Sequence, residues 1–172
     1  HQRTLSALAV ARGGDQPGAR LTVVGGAVEP SYARALRRLA DVLGVADAVT
    51  FTTGLSEGAL AAHFRSADVL VMVSEHEGFG VPLLEAMAAG VPVVALGAAG
   101  VPETMGGAGV LVPNQDPATV AAAADMCSAC RMSRLAMAGH LARSLSMPSI
   151  CRMLGTRANR ASGTTGALPA MK

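Results

Sequence analysis

The chain has 172 residues, of which 51% are hydrophobic and 15% charged, and this balance excludes a disordered polypeptide and suits one globular domain. Aromatic residues make up only 2% of the chain, so its core must be aliphatic. No apolar run approaches the roughly 18 residues that cross a bilayer, and the first residues lack the layout of a secretory signal. We therefore expect a cytoplasmic protein, with peripheral contact to the inner face of the membrane as an alternative location.

The net charge of +2 is distributed unevenly. Residues 1–130 carry seven basic and twelve acidic side chains, whereas residues 131–172 carry seven basic side chains and no acidic one. Periodicity fades beyond Met147, and we predict a domain over 1–145 and a basic, disordered tail over 146–172. A basic tail could bind nucleic acid or an anionic membrane. We favour a merely flexible or accidental extension, for example one from a shifted reading frame, and do not expect a nucleic-acid partner.

The first elements are a helix over 3–12, stopped by two glycines, and a strand over Leu21–Val24 that runs into Gly25-Gly26. A double glycine after a strand resembles half of a dinucleotide-binding fingerprint, but no third glycine follows. The alternatives are a pyrophosphate loop and a close-packed turn at the strand end that borders a ligand site. We favour the turn.

An amphipathic helix is predicted over Tyr32–Leu43, with Ser31 as its N-cap. Three arginines share its polar face, at positions 34, 37 and 38. We interpret them as a solvated face rather than a phosphate site. A strand over Val45–Phe51 follows, then a turn over 52–54 and a helix from Ser56 to about Ser66. His63 on that helix is interpreted as a partly exposed histidine rather than a catalytic one.

The central stretch combines a strand, a glycine loop and a short helix. An apolar run over Val69–Val73 predicts a buried strand, and the Gly78-Phe79-Gly80 loop then breaks it. Pro82 can open a helix, and Gly90 can stop it. The loop would present free backbone N–H groups at the positive end of the helix, which is an arrangement that binds anions.

The remaining elements alternate in the same way. A strand over Val91–Leu96 is followed by a V-P-E turn that contains Glu103, to which we give a structural rather than a ligand-binding role. A last strand covers Gly109–Val112, and Asp116 or Pro117 starts an alanine-rich helix. Strands that alternate with helices predict an α/β fold, a Rossmann-like parallel sheet with helices on both faces, whose ligand lies at the carboxyl ends of the strands.

Two glutamates frame the glycine loop. Glu77 stands at its entrance and Glu85 lies on the helix that follows. A carboxylate does not help to hold a phosphate but accepts hydrogen bonds from hydroxyl groups. Loop amides for phosphate and carboxylates for hydroxyls would suit a ligand that is part diphosphate and part sugar. The alternative is that both glutamates are solvated acids placed near a helix start for electrostatic reasons.

The stretch from Glu77 to Val94 reads EGFGVPLLEAMAAGVPVV and resembles the signature of the group 1 retaining glycosyltransferases, which have the GT-B fold. The resemblance covers about residues 1–130 and implies the carboxy-terminal, donor-binding half of such an enzyme. It implies that Glu77 contacts the donor sugar in a catalytic role and that Glu85 accepts bonds from the ribose hydroxyls. The implied donor-binding residues between them are Gly78, Phe79, Gly80, Val81 and Leu84. Gly25 and Thr53 would lie near the nucleotide.

The resemblance also implies the reaction and its partners. A sugar would pass from a UDP- or GDP-linked donor to an acceptor hydroxyl with retention of configuration. The acceptor would be a glycan, a lipid or a small molecule held by an amino-terminal domain that this chain has no room for. The family's upstream Arg and Lys loop and first strand are not evident either, so we expect a fragment with little or no activity of its own. A nucleotide-sugar epimerase and a non-catalytic nucleotide-sugar-binding module are the alternatives.

Neither a cofactor nor a metal is expected. Cys127 and Cys130 form a CxxC pair, while His140 and Cys151 are isolated, which is not the spacing of a zinc site. The pair ends a predicted helix rather than starting one, so it does not fit a redox motif. No Asp-x-Asp cluster is present, and we predict a reaction that does not depend on a metal.

Overall fold

The computed structural model describes residues 1–25 and 29–137, with side chains described through residue 129. Within these ranges, helices and parallel strands alternate. The strands are β1 (Leu21–Gly25), β2 (Val49–Thr53), β3 (Leu70–Met72), β4 (Val93–Leu96) and β5 (Val110–Val112). The helices are α1 (Gln2–Gly13), α2 (Pro30–Val42), α3 (Glu57–Ser66), α4 (Val81–Ala88), α5 (Val101–Met105) and α6 (Pro117–Met137). The predicted tail begins beyond the described residues.

The parallel pairing is as predicted, but the strands of the described residues form two sheets. One sheet pairs β1 with β2, and the other has the order β3-β4-β5. No hydrogen-bonded ladder joins β1 to β3 in the described part of the chain. The predicted lack of a first strand is not tested by these residues and stays a prediction.

Helices cover both faces of the three-stranded sheet, as predicted. Successive side chains of β4 point to opposite faces because the strand has a period of two. Val94 packs with the α6 side, where Val120 and Cys127 are buried. Val93 packs on the other face, with Leu83 of α4 and Val101 of α5. All four residues of β4 are buried, which makes this strand the centre of the fold.

The first helix connects the two sheets. Leu5 and Leu8 belong to a core cluster with Leu36 of α2 and the β1–β2 sheet. Ala7, on another face of α1, belongs to the cluster of α6 and the three-stranded sheet. One helix therefore contributes to the cores of both sheets.

Three local predictions are wrong. The N-cap of α2 is Glu29 rather than Ser31, since the Glu29 carboxylate accepts hydrogen bonds from the backbone N–H groups of Ser31 and Tyr32. The second strand begins at Val49 because residues Ala46–Ala48 form a single 3₁₀ turn. The V-P-E segment is the first part of the short helix α5 rather than a turn.

Candidate functional site

The glycine loop lies at the carboxyl end of β3, as the sequence predicts. Val73, just beyond the strand, is buried. Residues 74–76 are exposed, and Glu77 after them is half-buried. Gly78 and Phe79 are exposed, and the Phe79 side chain has an exposed fraction of 63%. The loop ends at Gly80, the N-cap of α4. A large apolar side chain with so little burial is available to a ligand or partner at this place.

Gly80 adopts a backbone conformation that requires glycine. Its φ is +71°, in the left-handed region that side chains disfavour. A Cβ atom built on Gly80 would lie 2.7 Å from Cδ1 of Leu83, which is fully buried. The left-handed residue turns the chain sharply from the loop into α4, and this turn places the loop directly before the helix N-terminus.

The first turns of α4 have a buried face and an exposed face. Leu83 and Ala86 are completely buried against the core. Val81, Leu84 and Glu85 are exposed, and their spacing of three and four residues puts them on one side of the helix. Three predicted site residues therefore share a surface that continues from the loop.

Four consecutive backbone N–H groups in this loop have no hydrogen-bond acceptor among the described residues. They belong to Gly78, Phe79, Gly80 and Val81. The last of them opens α4, where N–H groups have no intrahelical partner. Unpaired N–H donors at the positive end of a helix favour a negatively charged ligand.

The carboxylates of Glu77 and Glu85 are free to accept hydrogen bonds. Within the described residues, neither side chain has a protein hydrogen bond or an ion pair. The ion pair found within the described residues joins Arg12 of α1 to Asp47, in the 3₁₀ turn before β2. With no cation paired to them among the described residues, the two glutamates are suited to hydroxyl donors.

The loop and the strand end before it are each hydrogen-bonded to a neighbouring segment. The hydroxyl of Thr104, in α5, donates a hydrogen bond of 2.7 Å to the carbonyl oxygen of Phe79. The side-chain amide of Gln115 donates one of 2.7 Å to the carbonyl oxygen of Val73. The sequence reasoning missed both residues, because a hydrogen bond across 25 or 42 residues has no local sequence signal. Glu103, for which the sequence predicts a structural role, makes no side-chain hydrogen bond within the described part of the chain.

The two predicted nucleotide-proximal residues lie on the other sheet. Gly25 ends β1, Thr53 ends β2, and the two are register partners. The sequence predicts a turn at Thr53, but Thr53 is the last residue of β2. The turn follows at Gly54, whose φ is +65°. No described hydrogen bond links either residue to the glycine loop. The structure thus brings Gly25 and Thr53 together at one strand end without joining them to Glu77.

The arginines of α2 are solvated, as predicted. Arg34, Arg37 and Arg38 are all exposed, and the guanidinium group of Arg37 lies 5.1 Å from the centre of the Phe51 ring. An open depression of about 690 Å³ is lined by Ser31, Arg34, Ala35 and Arg38. It lies on the surface of α2 rather than at the glycine loop.

The described residues contain no group of three or more His, Cys, Asp or Glu side chains that could hold a metal ion. Cys127 is buried in α6. The side chain of Cys130, and the whole of His140 and Cys151, lie outside the described residues. His63 is partly exposed on α3, as the sequence predicts. None of the described helices is both long enough and apolar enough for a membrane span.

The fold is similar to solved glycosyltransferase structures. The C-terminal domain of the group 1 glycosyl transferase LpcC from Francisella tularensis superposes with a TM-score of 0.65 at 23% identity, covering 91% of this chain and 78% of that one. The lipopolysaccharide glycosyltransferase WaaG gives 0.64 at 25% identity, with 94% of this chain and 43% of WaaG covered. These similarities define the chain as a Rossmann-like domain of the kind that forms one half of a GT-B glycosyltransferase.

The chain belongs to the family Glycosyl transferases group 1, whose family model matches residues 2–129. The D-inositol 3-phosphate glycosyltransferase of Geodermatophilus obscurus is 46% identical over 92 residues, which are 52% of this chain and 20% of that protein. A GDP-mannose-dependent mannosyltransferase of Mycobacterium tuberculosis, which acts on phosphatidylinositol monomannoside, is 44% identical over 79 residues. That match covers 42% of this chain and 20% of the relative, so the chain matches only about a fifth of the length of either enzyme.

Proposed function

We propose that this domain binds the nucleotide-diphosphate sugar of a retaining glycosyltransferase, which transfers a hexose to an acceptor hydroxyl. The observation that carries the proposal is the set of four amides and two flanking glutamates after β3 that have no hydrogen-bond partner within the described residues. In open α/β sheets, ligands bind at this edge.

The diphosphate would lie against the loop. The N–H groups of Gly78, Phe79, Gly80 and Val81 find no acceptor in the part of the chain that the structure describes, and α4 adds the partial positive charge of its N-terminus. Preorganised donors of this kind stabilise negative charge as it develops on a leaving group. The diphosphate gains that charge when its bond to the anomeric carbon breaks.

The ribose would lie along the exposed face of α4. Glu85 is one helical turn beyond Val81, so a ligand whose phosphates contact the loop extends naturally past Leu84 towards the Glu85 carboxylate. A ribose presents two neighbouring hydroxyl groups, and an unpaired carboxylate can accept a bond from each. The same roles follow from the family resemblance.

Glu77 would contact the donor sugar. It is half-buried and precedes the glycines in the chain, whereas Glu85 follows them. Hydrogen bonds from sugar hydroxyls to Glu77 would hold the anomeric carbon over the diphosphate. The acceptor oxygen would form the new bond at that carbon as the bond to the diphosphate breaks, and catalysis would depend on positioning and charge stabilisation.

The donor is proposed to be GDP- or UDP-linked. A relative at 44% identity is described as GDP-mannose-dependent. An Anabaena protein of the same fold, HepE, was solved with UDP-glucose, at a TM-score of 0.62 and 22% identity over 90% of this chain and 44% of that one. The acceptor would be supplied across the cleft between the two halves of a GT-B enzyme. We place the protein in the cytoplasm, where nucleotide sugars would reach it.

A thermal-shift titration of the whole chain with UDP, GDP, UDP-glucose and GDP-mannose tests the proposal. A bound donor raises the melting temperature in proportion to the logarithm of its concentration above Kd. Glu85→Ala should remove most of this rise, whereas Glu57→Ala, which removes another exposed helix glutamate, should keep it. No rise with any of the four ligands, or an equal rise in both variants, would contradict the proposed site.

A further inference from the structure

The loop that carries the free amides is held from one side by the segment Gly100–Thr104, at the start of α5. We propose that Gly100 and Thr104 are positioning residues that orient the peptide planes of the loop so that its N–H groups face the donor. The inference deepens the proposed function and depends on it for the identity of the ligand. It concerns two residues to which neither the sequence reasoning nor the family resemblance gives a role.

Thr104 fixes the peptide plane between Phe79 and Gly80. Its hydroxyl donates a 2.7 Å hydrogen bond to the Phe79 carbonyl oxygen, so this oxygen points towards α5. A trans peptide unit is planar, and its C=O and N–H groups point in opposite directions. The N–H of Gly80 is therefore directed away from α5.

Gly100 fixes the preceding peptide plane by close contact. A Cβ atom built on Gly100 would lie 2.3 Å from the carbonyl oxygen of Gly78, so only glycine fits at this position without a backbone shift. The Gly78 carbonyl therefore also faces the segment before α5. By the same planarity, the N–H of Phe79 points the other way.

Together, the contacts with Thr104 and Gly100 orient two successive peptide units of the loop in the same way. Two carbonyl oxygens face the Gly100–Thr104 segment, and the two N–H groups of the same peptide units face away from it. Neither N–H has an acceptor among the described residues. In a flexible glycine loop the peptide planes could rotate, and their carbonyl oxygens would then face the anion and repel it. The contacts from α5 would keep donors on the ligand side before the ligand arrives, which lowers the ordering cost of binding.

The test compares Thr104→Val, which removes the hydroxyl and keeps the shape, with Thr104→Ser, which restores a hydroxyl. Thr119→Val is the matched control, because the Thr119 hydroxyl bonds Asp116 at the start of α6, away from the loop. Two quantities are measured on the full chain with ¹⁵N labelling. One is the backbone order parameter of Phe79 and Gly80, and the other is the Kd of UDP or GDP, whichever binds the wild type.

We expect the order parameters to fall in Thr104→Val from about 0.85 towards 0.6. The Kd should rise by about three- to tenfold, the factor expected for one hydrogen bond. Thr104→Ser should restore both, and Thr119→Val should change neither. Unchanged order parameters in Thr104→Val, or a lower order with an unchanged Kd, would overturn the positioning role. A loop that loses order in Thr104→Val, in a protein that binds no nucleotide, would support the orientation of the loop and refute the donor function.

Discussion

The side-chain amide of Gln115 donates a hydrogen bond of 2.7 Å to the carbonyl oxygen of Val73, which is the last buried residue before the glycine loop. Val73 lies one position beyond the paired residues of β3, so its carbonyl has no partner in the β-ladder. Gln115, in the connection between β5 and α6, supplies that partner. The point at which the chain leaves the sheet to form the site is thus fixed by a distant residue.

Replacing Gln115 should destabilise the protein more than replacing an exposed glutamine. Gln115→Ala leaves a partly buried carbonyl without a partner, which costs about 1–3 kcal/mol of unfolding free energy. Gln16 also donates a side-chain bond, to Asp125, but this bond is exposed to solvent, so Gln16→Ala should cost less than about 0.5 kcal/mol. Urea unfolding of both variants measures the difference. Equal losses would show that the Gln115 bond does not stabilise the strand end.

Two glycines with the same backbone conformation allow the cost of backbone strain to be distinguished from the cost of steric overlap when each is replaced by alanine. Gly80 and Gly90 have φ of +71° and +70°, but a Cβ on Gly90 would meet no atom within 4 Å. Gly90→Ala should therefore cost only the left-handed strain, about 1–2 kcal/mol. Gly80→Ala should cost about 1–3 kcal/mol more, because the buried Leu83 must move.

Thermal unfolding of the two alanine variants tests this expectation. For a protein of this size, 1 kcal/mol corresponds to about 2–4 °C in melting temperature. The Gly80 variant should melt several degrees below the Gly90 variant. Similar melting temperatures would mean that the core accommodates a methyl group at the start of α4 without cost.

The N-cap of α6 makes stability depend on pH. The Asp116 carboxylate accepts hydrogen bonds from the backbone N–H and the hydroxyl of Thr119, and these bonds hold its pKa below the ordinary value of 3.8. A lowered folded-state pKa means that the carboxylate stabilises the protein above the unfolded-state value and loses this effect as the pH falls through the folded-state value.

Asp116→Asn should therefore be less stable than the wild type at pH 7. The gap in melting temperature between them should be constant down to about pH 5, narrow below the ordinary pKa of 3.8 and close at lower pH. Melting curves of both proteins between pH 7 and pH 2.5 give the comparison. A gap that does not change with pH would show that the charge of Asp116 does not contribute.

Arg12 should stabilise the β1 side of the fold through its backbone contact rather than its ion pair. Its guanidinium group donates to the Ala19 carbonyl at 3.0 Å and contacts Asp47 at 3.2 Å. The side chain of Asp47 is 70% exposed, so solvent screens the pair and Asp47→Asn should cost less than about 0.5 kcal/mol. Arg12→Met, which loses the part-buried bond to Ala19 as well, should cost about 1 kcal/mol. Urea unfolding that ranks the two variants in the reverse order would contradict this view.

The central part of the fold is predictable because its signals are local. The apolar run of β3 needs a buried position, Pro82 opens α4, and Gly90 ends it with positive φ. Ser56 caps α3 as predicted, because its hydroxyl accepts a bond from the N–H of Ala59. Each of these features depends on residues within a few positions of one another.

Competing local signals account for the errors. Ser31 is a good N-cap type, but the proline before it fits the first helical position, so the cap moves back to Glu29. Residues 46–48 include an aspartate and two alanines, which disfavour a strand, and they form a 3₁₀ turn instead. The separation of the strands into two sheets cannot be read from the chain, since strand order is set by contacts between distant segments.

In the candidate site, too, some features are predictable from local sequence and others depend on contacts between distant segments. The glycine loop and its glutamates follow from a short motif, whereas the contacts of Thr104 and Gly100 with the loop follow only from three-dimensional packing. A threonine in a short helix has no sequence feature that indicates a bond to a carbonyl 25 residues earlier. The residues expected to contact the ligand follow from the motif, whereas the residues that support the loop do not.

The most direct measurement is a ¹H–¹⁵N NMR titration of the whole chain with UDP and GDP. We expect saturable shifts that are largest at the amides of Gly78, Phe79, Gly80 and Val81, because these are the donors that would meet the diphosphate. Smaller shifts should follow along α4 to Glu85. Shifts that leave these four amides unchanged, for example shifts confined to the exposed arginines of α2, would contradict a donor site at the glycine loop.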